Sequence, residues 1–579
     1  MTVKGQSMIR RVMISRRRDD AGMALLMVVA SMLILSIIVT AALGYAVRDQ
    51  SESRHDQDYT AALQAANAGV QDYISYVNQY GQAYNTTSSL YCANPAMQGG
   101  NSVLTSGNCS WGATPAWVKV QDVSGTNAIP EYYHYDIDTS SAITSGQVVV
   151  TASGRVNKVT RSIQATVTDG GSSDYTYFTD YESQDPQISG DPNNNCRPLS
   201  GTTPLHWWEM TTTQQNNANA NANNDVCDIN FITGDVLTGP VHTNDDALMN
   251  GTPDFEGAFS TSDPACQTAT KAKDYSDTCY RSNGSPTPTF NPPPSYVKDW
   301  FPPNNTNTLK ATAQSVGCVY NGPTRIKFLA AGTMQVWSHY TTSVNAGCGT
   351  VAALQSAAGA TVPIPANFLV FVQNAPSPAP NSACAVGAIG NGLPVANDAW
   401  ASNPAQFRAG LTADQYCNEG NAFVEGSVNG RVTVAAENDV IITGNTTYQG
   451  GLNGDDILGL VALNYIEIYH PVTSLASGAN DIGTPPTTFQ VQAALDSLNH
   501  SFIVQAWDQG ANGTRTLQVT GSIAQEFRGP VGQGGAGGTG YLKSYVYDTR
   551  LKYGPPPYFP HWTNANWTVT LYGEINPKY

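Results

Sequence analysis

Charge is scarce in this chain: Asp, Glu, Lys and Arg make up 12% of its 579 residues, against roughly 25% in an ordinary soluble domain. The balance is acidic, with a net charge of −16. No basic stripe is available to release counter-ions from phosphate, so nucleic acid is excluded as a partner. Cys-x-x-Cys is absent, which removes zinc-ribbon and thioredoxin-type chemistry. The eight histidines, His55, His134, His206, His242, His339, His470, His500 and His561, include no His-Glu-x-x-His, so a metalloprotease has no support. No serine sits in Gly-x-Ser-x-Gly, the strand-to-helix elbow of a hydrolase nucleophile. Gly532, Gly534 and Gly537 match Gly-x-Gly-x-x-Gly, but Gly529-Pro530 precedes them and Thr539-Gly540 and a strand follow. A dinucleotide site needs the glycines between a strand and a helix N-terminus, so this string reads as a loop. No cofactor and no enzymatic activity are implied.

One apolar run is present, Met23 to Val47, 25 residues with no charge. As a helix it spans about 37 Å, enough to cross a hydrocarbon core of roughly 30 Å with some tilt. Lys4, Arg10, Arg11, Arg16, Arg17 and Arg18 precede it. The positive-inside bias therefore keeps the leader cytoplasmic and sends the chain beyond Arg48 outward. The expected location is a single pass through the inner, cytoplasmic membrane with an external remainder. A cleavable secretory signal has a shorter apolar stretch with a small-residue site after it. Here the small residue, Gly22, comes before the run.

Basic leader, then Gly22, then an unbroken hydrophobic helix resembles the class III signal of type IV pilins and type II secretion pseudopilins. The resemblance implies cleavage by a prepilin peptidase between Gly22 and Met23, usually with N-methylation of Met23. Removing six positive and two negative charges would take the net charge from −16 to −20. Two positions depart from the family: Met23 stands where Phe is common, and Met27 stands at mature position 5, where the family has a Glu that pairs with a neighbouring subunit. Losing that acid argues against a repeating shaft subunit and for a minor or tip role. Ala61-Ala62-Leu63-Gln64-Ala65-Ala66-Asn67-Ala68-Gly69-Val70 resembles the A-x-x-A-A-x-A-G motif of PilX-type minor pilins.

Beyond the span, Tyr59, Leu63, Ala66, Val70, Tyr73 or Ile74, and Val77 recur every three or four residues, one apolar face of a continuing helix. From Met23 to Tyr80 it would be about 87 Å long. Strands are expected over Trp117 to Val123, Tyr132 to Asp138, Gln147 to Gly154 and Val159 to Val167, with Gly154-Arg155-Val156-Asn157 as a turn. The domain reading is a leader over 1–22, a transmembrane and projecting helix over 23–80, a pilin-like antiparallel sheet over 81–170, and a β-rich ectodomain over 171–579. Gly170-Gly171-Ser172-Ser173 reads as the hinge, and Gln214 to Asn224 and Pro286 to Pro303 as loops.

In the large region, short β-branched runs follow one another: Phe231 to Asn244, Phe423 to Val428, Val432 to Val434, Val440 to Gly444, Leu458 to Ala462, Ile466 to Tyr469, Ser501 to Trp507, Leu517 to Ile523 and Tyr541 to Tyr547. Rungs of a right-handed parallel β-helix give this spacing, and a β-sandwich is the alternative. The fold class is thus α+β to mainly β. All ten cysteines, Cys92, Cys109, Cys196, Cys227, Cys266, Cys279, Cys318, Cys348, Cys384 and Cys417, lie on the expected outer side, and an even number there favours disulfides. Spacing does not fix connectivity; pairing sequence neighbours is one arrangement.

Paired acids merit inspection because stacked-strand folds host polysaccharide-active enzymes. The pairs are Asp245 with Asp246, Glu437 with Asp439, and Asp455 with Asp456. Adjacent strand residues face opposite ways, so only Glu437 and Asp439 can share a face. Asn453-Gly454-Asp455-Asp456 reads as a turn, with a weak calcium loop as the other reading. Tyr553, Tyr558, Phe559, Trp562 and Trp567 read as a cap over an open solenoid end, or as a binding surface. The sequence reading is a minor pilin or pseudopilin. Its partners are other pilin subunits through the helix, the prepilin peptidase, the membrane, and a surface glycan or protein ligand. The rival is an uncleaved membrane-anchored β-helix enzyme acting on polysaccharide, or a glycan-binding adhesin.

Overall fold

The computed structural model describes residues 20–579 apart from 81–88, 95, 98–102, 106–107, 111–115, 122–128, 190–195, 201–202, 223–226, 269–274, 277, 377–388, 391, 403–417, 477, 511–514 and 534–537. It divides into two units. The helix-bearing unit comprises 1–137, 149–165 and 571–579, and the larger unit comprises 138–148 and 166–570.

The helix-bearing unit is built on α1, Asp20–Gln79. Its buried stripe is Ala62, Ala65, Ala66, Val70, Tyr73 and Val77. Ala66, Val70, Tyr73 and Val77 fall where expected, while Tyr59 is 45% exposed and Leu63 half-buried; at that end Ala62 and Ala65 face inward instead. A five-stranded sheet follows the order β1 (Val118–Lys119), β2 (Glu131–Asp138), β3 (Gln147–Val156), β4 (Val159–Thr168), β5 (Thr568–Ile575). Alternate side chains of β3 and β4, among them Val150, Ala152, Ile163 and Ala165, are fully buried, as one covered face requires. The β3–β4 turn is Asn157-Lys158, with Asn157 at φ 51°; Gly154 is therefore inside a strand, not in the turn expected for it. The division also corrects the expected 81–170 and 171–579 boundary, because residues 571–579 belong with the helix.

The larger unit is a stack of parallel strands, which rules out the antiparallel β-sandwich. One ladder runs through Cys318–Asn321, Phe368–Gln373, Arg431–Ala436, Ile457–Ala462, Thr488–Ser497 and Thr516–Arg528. It continues through Tyr177–Gln184, Val241–Thr243, Phe259–Thr261 and Ser295–Tyr296. Spatial order is thus a permutation of chain order. The chain starts mid-stack at Tyr177, winds to one end at Tyr296, crosses through 297–317 to the other end, and winds back until Thr516–Arg528 pairs with Tyr177–Gln184. A second ladder links Thr324–Leu329, Ala422–Val428, Val440–Tyr448, Ile466–Ile468 and Phe502–Val504. A third links Thr516–Arg528 through Leu542–Tyr547 and Val236–Thr238 to Asp254–Glu256 and Thr289–Phe290.

Side chains alternate between an interior core and an outer layer. Val370 and Val372 point inward while Leu369 and Phe371 join an outer cluster with Ala435, Val461 and Ala494. Both faces of these strands are covered, which is why they read as continuous apolar runs. Leu309 and Ala313 of the helix Asn307–Val316, with Leu551 and Phe559, supply the cover. Trp562 packs likewise on Phe178 and Ala524. These aromatics wall the side of the stack and do not cap its end. At one turn, amides stack: Asn438 Nδ2 donates to Asn374 Oδ1 at 2.6 Å and Asn464 Nδ2 to Asn438 Oδ1 at 3.4 Å. The two ends are closed differently. Pro292, Pro293 and Pro294 precede the last two-residue rung and offer no N–H to an incoming strand. The opposite end turns antiparallel through Thr324–Leu329, Thr333–Ser338 and Ala360–Pro363.

Three further local expectations fail. Pro286 to Pro303 was expected to be a loop, but Thr289–Phe290 and Ser295–Tyr296 within it are paired strands. Gln214 to Asn224 was expected to be a loop, but Thr212–Ala222 is helical; its alanines and glutamines have adequate helix propensity despite the low complexity. Gly170 to Ser173 is not a free hinge: Ser172 and Ser173 are buried, Ser172 Oγ donates to Asp496 Oδ2 at 2.5 Å, and Trp562 N donates to Gly170 O at 3.0 Å.

Candidate membrane and assembly interface

Among the described residues, nothing packs against the first half of α1. The most apolar window of the helix has a mean hydropathy of 2.7 and is 0% buried. Leu26, Met27, Ile34 and Ile37 are each more than half exposed. An apolar surface of this extent is stable only in lipid or against other apolar helices. Its serine and threonine hydroxyls are satisfied internally. Ser31 Oγ donates to Val28 O at 2.9 Å, Ser36 Oγ to Met32 O at 2.8 Å, and Thr40 Oγ1 to Ser36 O. Hydroxyls bonded back to the preceding turn cost little in hydrocarbon, where an unpaired one would cost several kcal/mol. Charge resumes at once beyond the span, with Arg48 Nε 3.1 Å from Glu52 Oε1.

The second half of α1 is held close to its own sheet because the residues between them are small. An added Cβ at Gly154 of β3 would lie 2.0 Å from Ala62 O and 2.3 Å from Ala66 N. At Gly69 it would lie 3.2 Å from Tyr133 Cδ2. The Ala62 to Gly69 string thus serves the intramolecular helix–sheet contact. Polar anchoring follows one turn on, where the Tyr135 hydroxyl lies 3.0 Å from both Asp72 Oδ2 and Asn94 Oδ1. Burial, reinforced by the Asp72 charge, holds the Tyr135 hydroxyl well above the ordinary tyrosine range. Gly22 and Met23 lie in the first turn of α1, and residues 1–19 of the leader lie outside the described residues.

The paired carboxylates go separate ways. Asp245 is fully buried and forms an ion pair with Arg197. Its two oxygens also accept from Trp207 N at 2.6 Å and Glu182 N at 2.9 Å. Asp246 faces Asp263, and burial together with that neighbour holds its carboxyl well above the usual range. Glu437 and Asp439 are not on a strand, so the shared face expected for them does not exist. Glu437 accepts from Asn374 N at 2.8 Å and Lys310 Nζ at 3.3 Å, whereas Asp439 accepts from Tyr465 N at 3.1 Å. Asp456 ties a turn by accepting from the Gly430 and Gly450 amides, each at 2.7 Å. Apart from Asp246, these acids hold backbone amides or basic side chains, and no grouping of three or more metal-ligating side chains occurs among the described residues.

Sequence reasoning missed the buried charges that lie between rungs. Arg528 pairs with Glu182 at 2.8 Å, each with a side chain 1% exposed, and Arg528 also lies over the Phe231 ring. His206 is gripped by Asp180 at 3.1 Å and Glu209 at 2.9 Å. Burial alone would lower His206, but those two hydrogen bonds outweigh it and raise the imidazole to about 10. No motif signals the Arg528–Glu182 pair, whose partners are 346 residues apart and meet only through permuted stacking; His206 and Glu209 meet within one local turn. Disulfides join Cys196 with Cys227, Cys266 with Cys279, and Cys318 with Cys348. Cys92 is also disulfide-bonded; Cys384, Cys417 and the side chain of Cys109 lie outside the described residues, as do Gly534 and Gly537.

No family model and no curated protein matches the sequence. Among solved structures, the competence-associated pilin ComZ from Thermus thermophilus is similar to the chain at 12% identity, over 90% of this chain and 97% of that one, with a TM-score of 0.28.

Proposed function

We propose that this chain is a minor subunit of a type IV filament system, anchored and assembled by the first half of α1 and displaying the parallel β stack outside the cell. The observation that carries this reading is the division of labour along one helix. Residues 23–47 present an unpartnered apolar surface, while Ala62 to Val77 are committed to the subunit's own sheet. A plain membrane anchor needs no such continuation; a helix that exchanges lipid for other helices does. A prepilin peptidase would cut between Gly22 and Met23, and the freed helix would pass from the inner membrane into the filament core.

Met27 offers no carboxylate to a neighbour's amine, and a unit spanning 166–570 is too bulky to repeat along a shaft. Both points favour a single copy at or near the tip. The parallel stack is then read as a right-handed β-helix, the hand that parallel crossovers overwhelmingly take. Its role is read as non-catalytic: Asp245, Glu437, Asp439 and Asp456 are engaged by backbone amides, arginine or lysine, and the surface serves adhesion or assembly. The test is a photo-cross-linking residue in place of Leu33 in the full chain. Capture of other filament subunits supports the reading, and capture of lipid alone contradicts it.

A further inference from the structure

The helix-bearing unit is assembled from two distant parts of the chain. Strands β4 and β5 are neighbours in the sheet, yet 399 residues, 169 to 567, separate them. The segment 571–579 is held on the unit as a peptide is held in a binding site. Arg161 of β4 donates through Nε to Glu574 Oε1 at 2.6 Å and through Nη2 to the other carboxylate oxygen. The guanidinium is itself set by the Tyr59 ring of α1, 3.8 Å away. Ser162 Oγ accepts from Lys578 N at 2.8 Å, and Ser153 Oγ donates to Lys578 O at 2.8 Å, so two serines read one residue's backbone. Lys578 and Tyr579 both reach Asp136 of β2, and Tyr572 OH donates to Asn67 of α1. The segment thereby touches the helix and three strands of the unit while burying little apolar surface: Leu571 and Tyr572 are each 54% exposed. The segment's own charged side chains stay largely in water, Glu574 42% and Lys578 45% exposed, so each ionic contact contributes little individually.

A weakly held peptide stays bound only if its effective concentration is high. Within the larger unit, the start and the end of the insert are tied together: Trp562 N donates to Gly170 O at 3.0 Å, and Gly171 bridges to His561. A folded insert therefore delivers residues 571–579 beside β4. An unfolded insert turns the link into a flexible loop of 399 residues, and effective concentration falls steeply with loop length.

We propose that residues 571–579 are an intramolecular clasp, bound in a peptide site formed by Arg161, Ser162, Ser153 and Asp136, whose occupancy depends on the insert being folded. The helix-bearing unit is complete only when the larger unit is folded, so a subunit whose larger unit is defective is marked in its helix-bearing unit. The further consequence, that such a subunit is refused by the filament, rests on the function proposed above.

The test is amide hydrogen exchange on the full-length protein in detergent, peptide by peptide. In Arg161→Ala/Asp136→Asn, exchange in 571–579 and in 59–77 of α1 should rise by a factor of about 5 to 30, with rungs 431–462 unchanged; Arg161→Lys should restore part of it. A charge in the insert core, Leu460→Asp, should speed exchange in 59–77 although it touches neither α1 nor its sheet. Should that variant fail to accumulate, a urea series on the wild type replaces it, with 571–579 and 59–77 losing protection together once the rungs open. Protection of 59–77 that survives loss of the clasp or of the rungs overturns the proposal. The filament reading is scored separately: wild-type chain missing from sheared filaments, with the exchange coupling intact, sinks that reading and leaves the clasp standing.

Discussion

Replacing Gly154 with Ala adds one methyl group where α1 crosses β3, and the structure leaves it no room. The new Cβ would sit 2.0 Å from Ala62 O, 2.3 Å from Ala66 N and 2.9 Å from Ala65 C. All three are backbone atoms, so no rotamer change relieves the overlap; the helix must retreat by about 1.4 Å to restore ordinary contact. A gap of that size forfeits a large share of the dispersion contacts along the stripe from Ala62 to Val77. Overpacking typically costs 1–3 kcal/mol. With backbone on both sides the upper end applies, about 3 kcal/mol or a 150-fold change in the local opening equilibrium. Gly573→Ala is the control, because nothing lies within 4 Å of its added Cβ. Amide exchange over residues 59–77 in detergent reads the effect directly. It should accelerate strongly in Gly154→Ala and stay at the wild-type rate in Gly573→Ala. Equal rates in Gly154→Ala and wild type would mean that α1 and β3 do not meet at this point.

Two further outcomes follow from buried charge in the larger unit. Burial raises the Asp496 carboxyl to about 7, since one oxygen accepts only from Ser172 and the other has no partner. A carboxyl raised from about 4 in the unfolded chain to about 7 when folded contributes full stability below pH 4 and loses it as pH rises through 7. Asp496→Asn should therefore be more stable than wild type at pH 8, by at most about 4 kcal/mol, with the gap closing towards pH 4; chemical denaturation at both pH values reads it, and a constant gap refutes it. Arg528→Met strands the buried Glu182 carboxylate and should cost about 3–5 kcal/mol, most of which Arg528→Met/Glu182→Leu should recover. Additive losses in the double variant would show that the pair is not the coupled unit described.

Legibility in the sequence followed sequence distance. The apolar run, the continuing helix and the individual rungs are local patterns, and strands such as Arg431–Ala436 and Ile457–Ala462 fall where β-branched residues cluster. The glycine at 154 was misread as a turn residue because composition cannot distinguish a turn from a close backbone approach; only the position of Ala62 and Ala66 opposite it does. The permuted order of the stack, the lateral cover by Phe559 and Trp562, and the return of β5 to the sheet all depend on contacts across hundreds of residues. Aromatics among prolines look the same whether they cap an end or wall a side. The buried pair Arg528–Glu182 was invisible for the same reason, and Arg197–Asp245, 48 residues apart, carries no local pattern that marks it.

The central claim is that a helix freed at a glycine enters a filament. Its most direct test is mass spectrometry of the N-terminal peptide of this chain in filaments sheared from cells. The account predicts a peptide beginning at Met23 with a methylated amine. A peptide still carrying Arg16, Arg17 and Arg18, or no peptide from this chain in the sheared fraction, contradicts it.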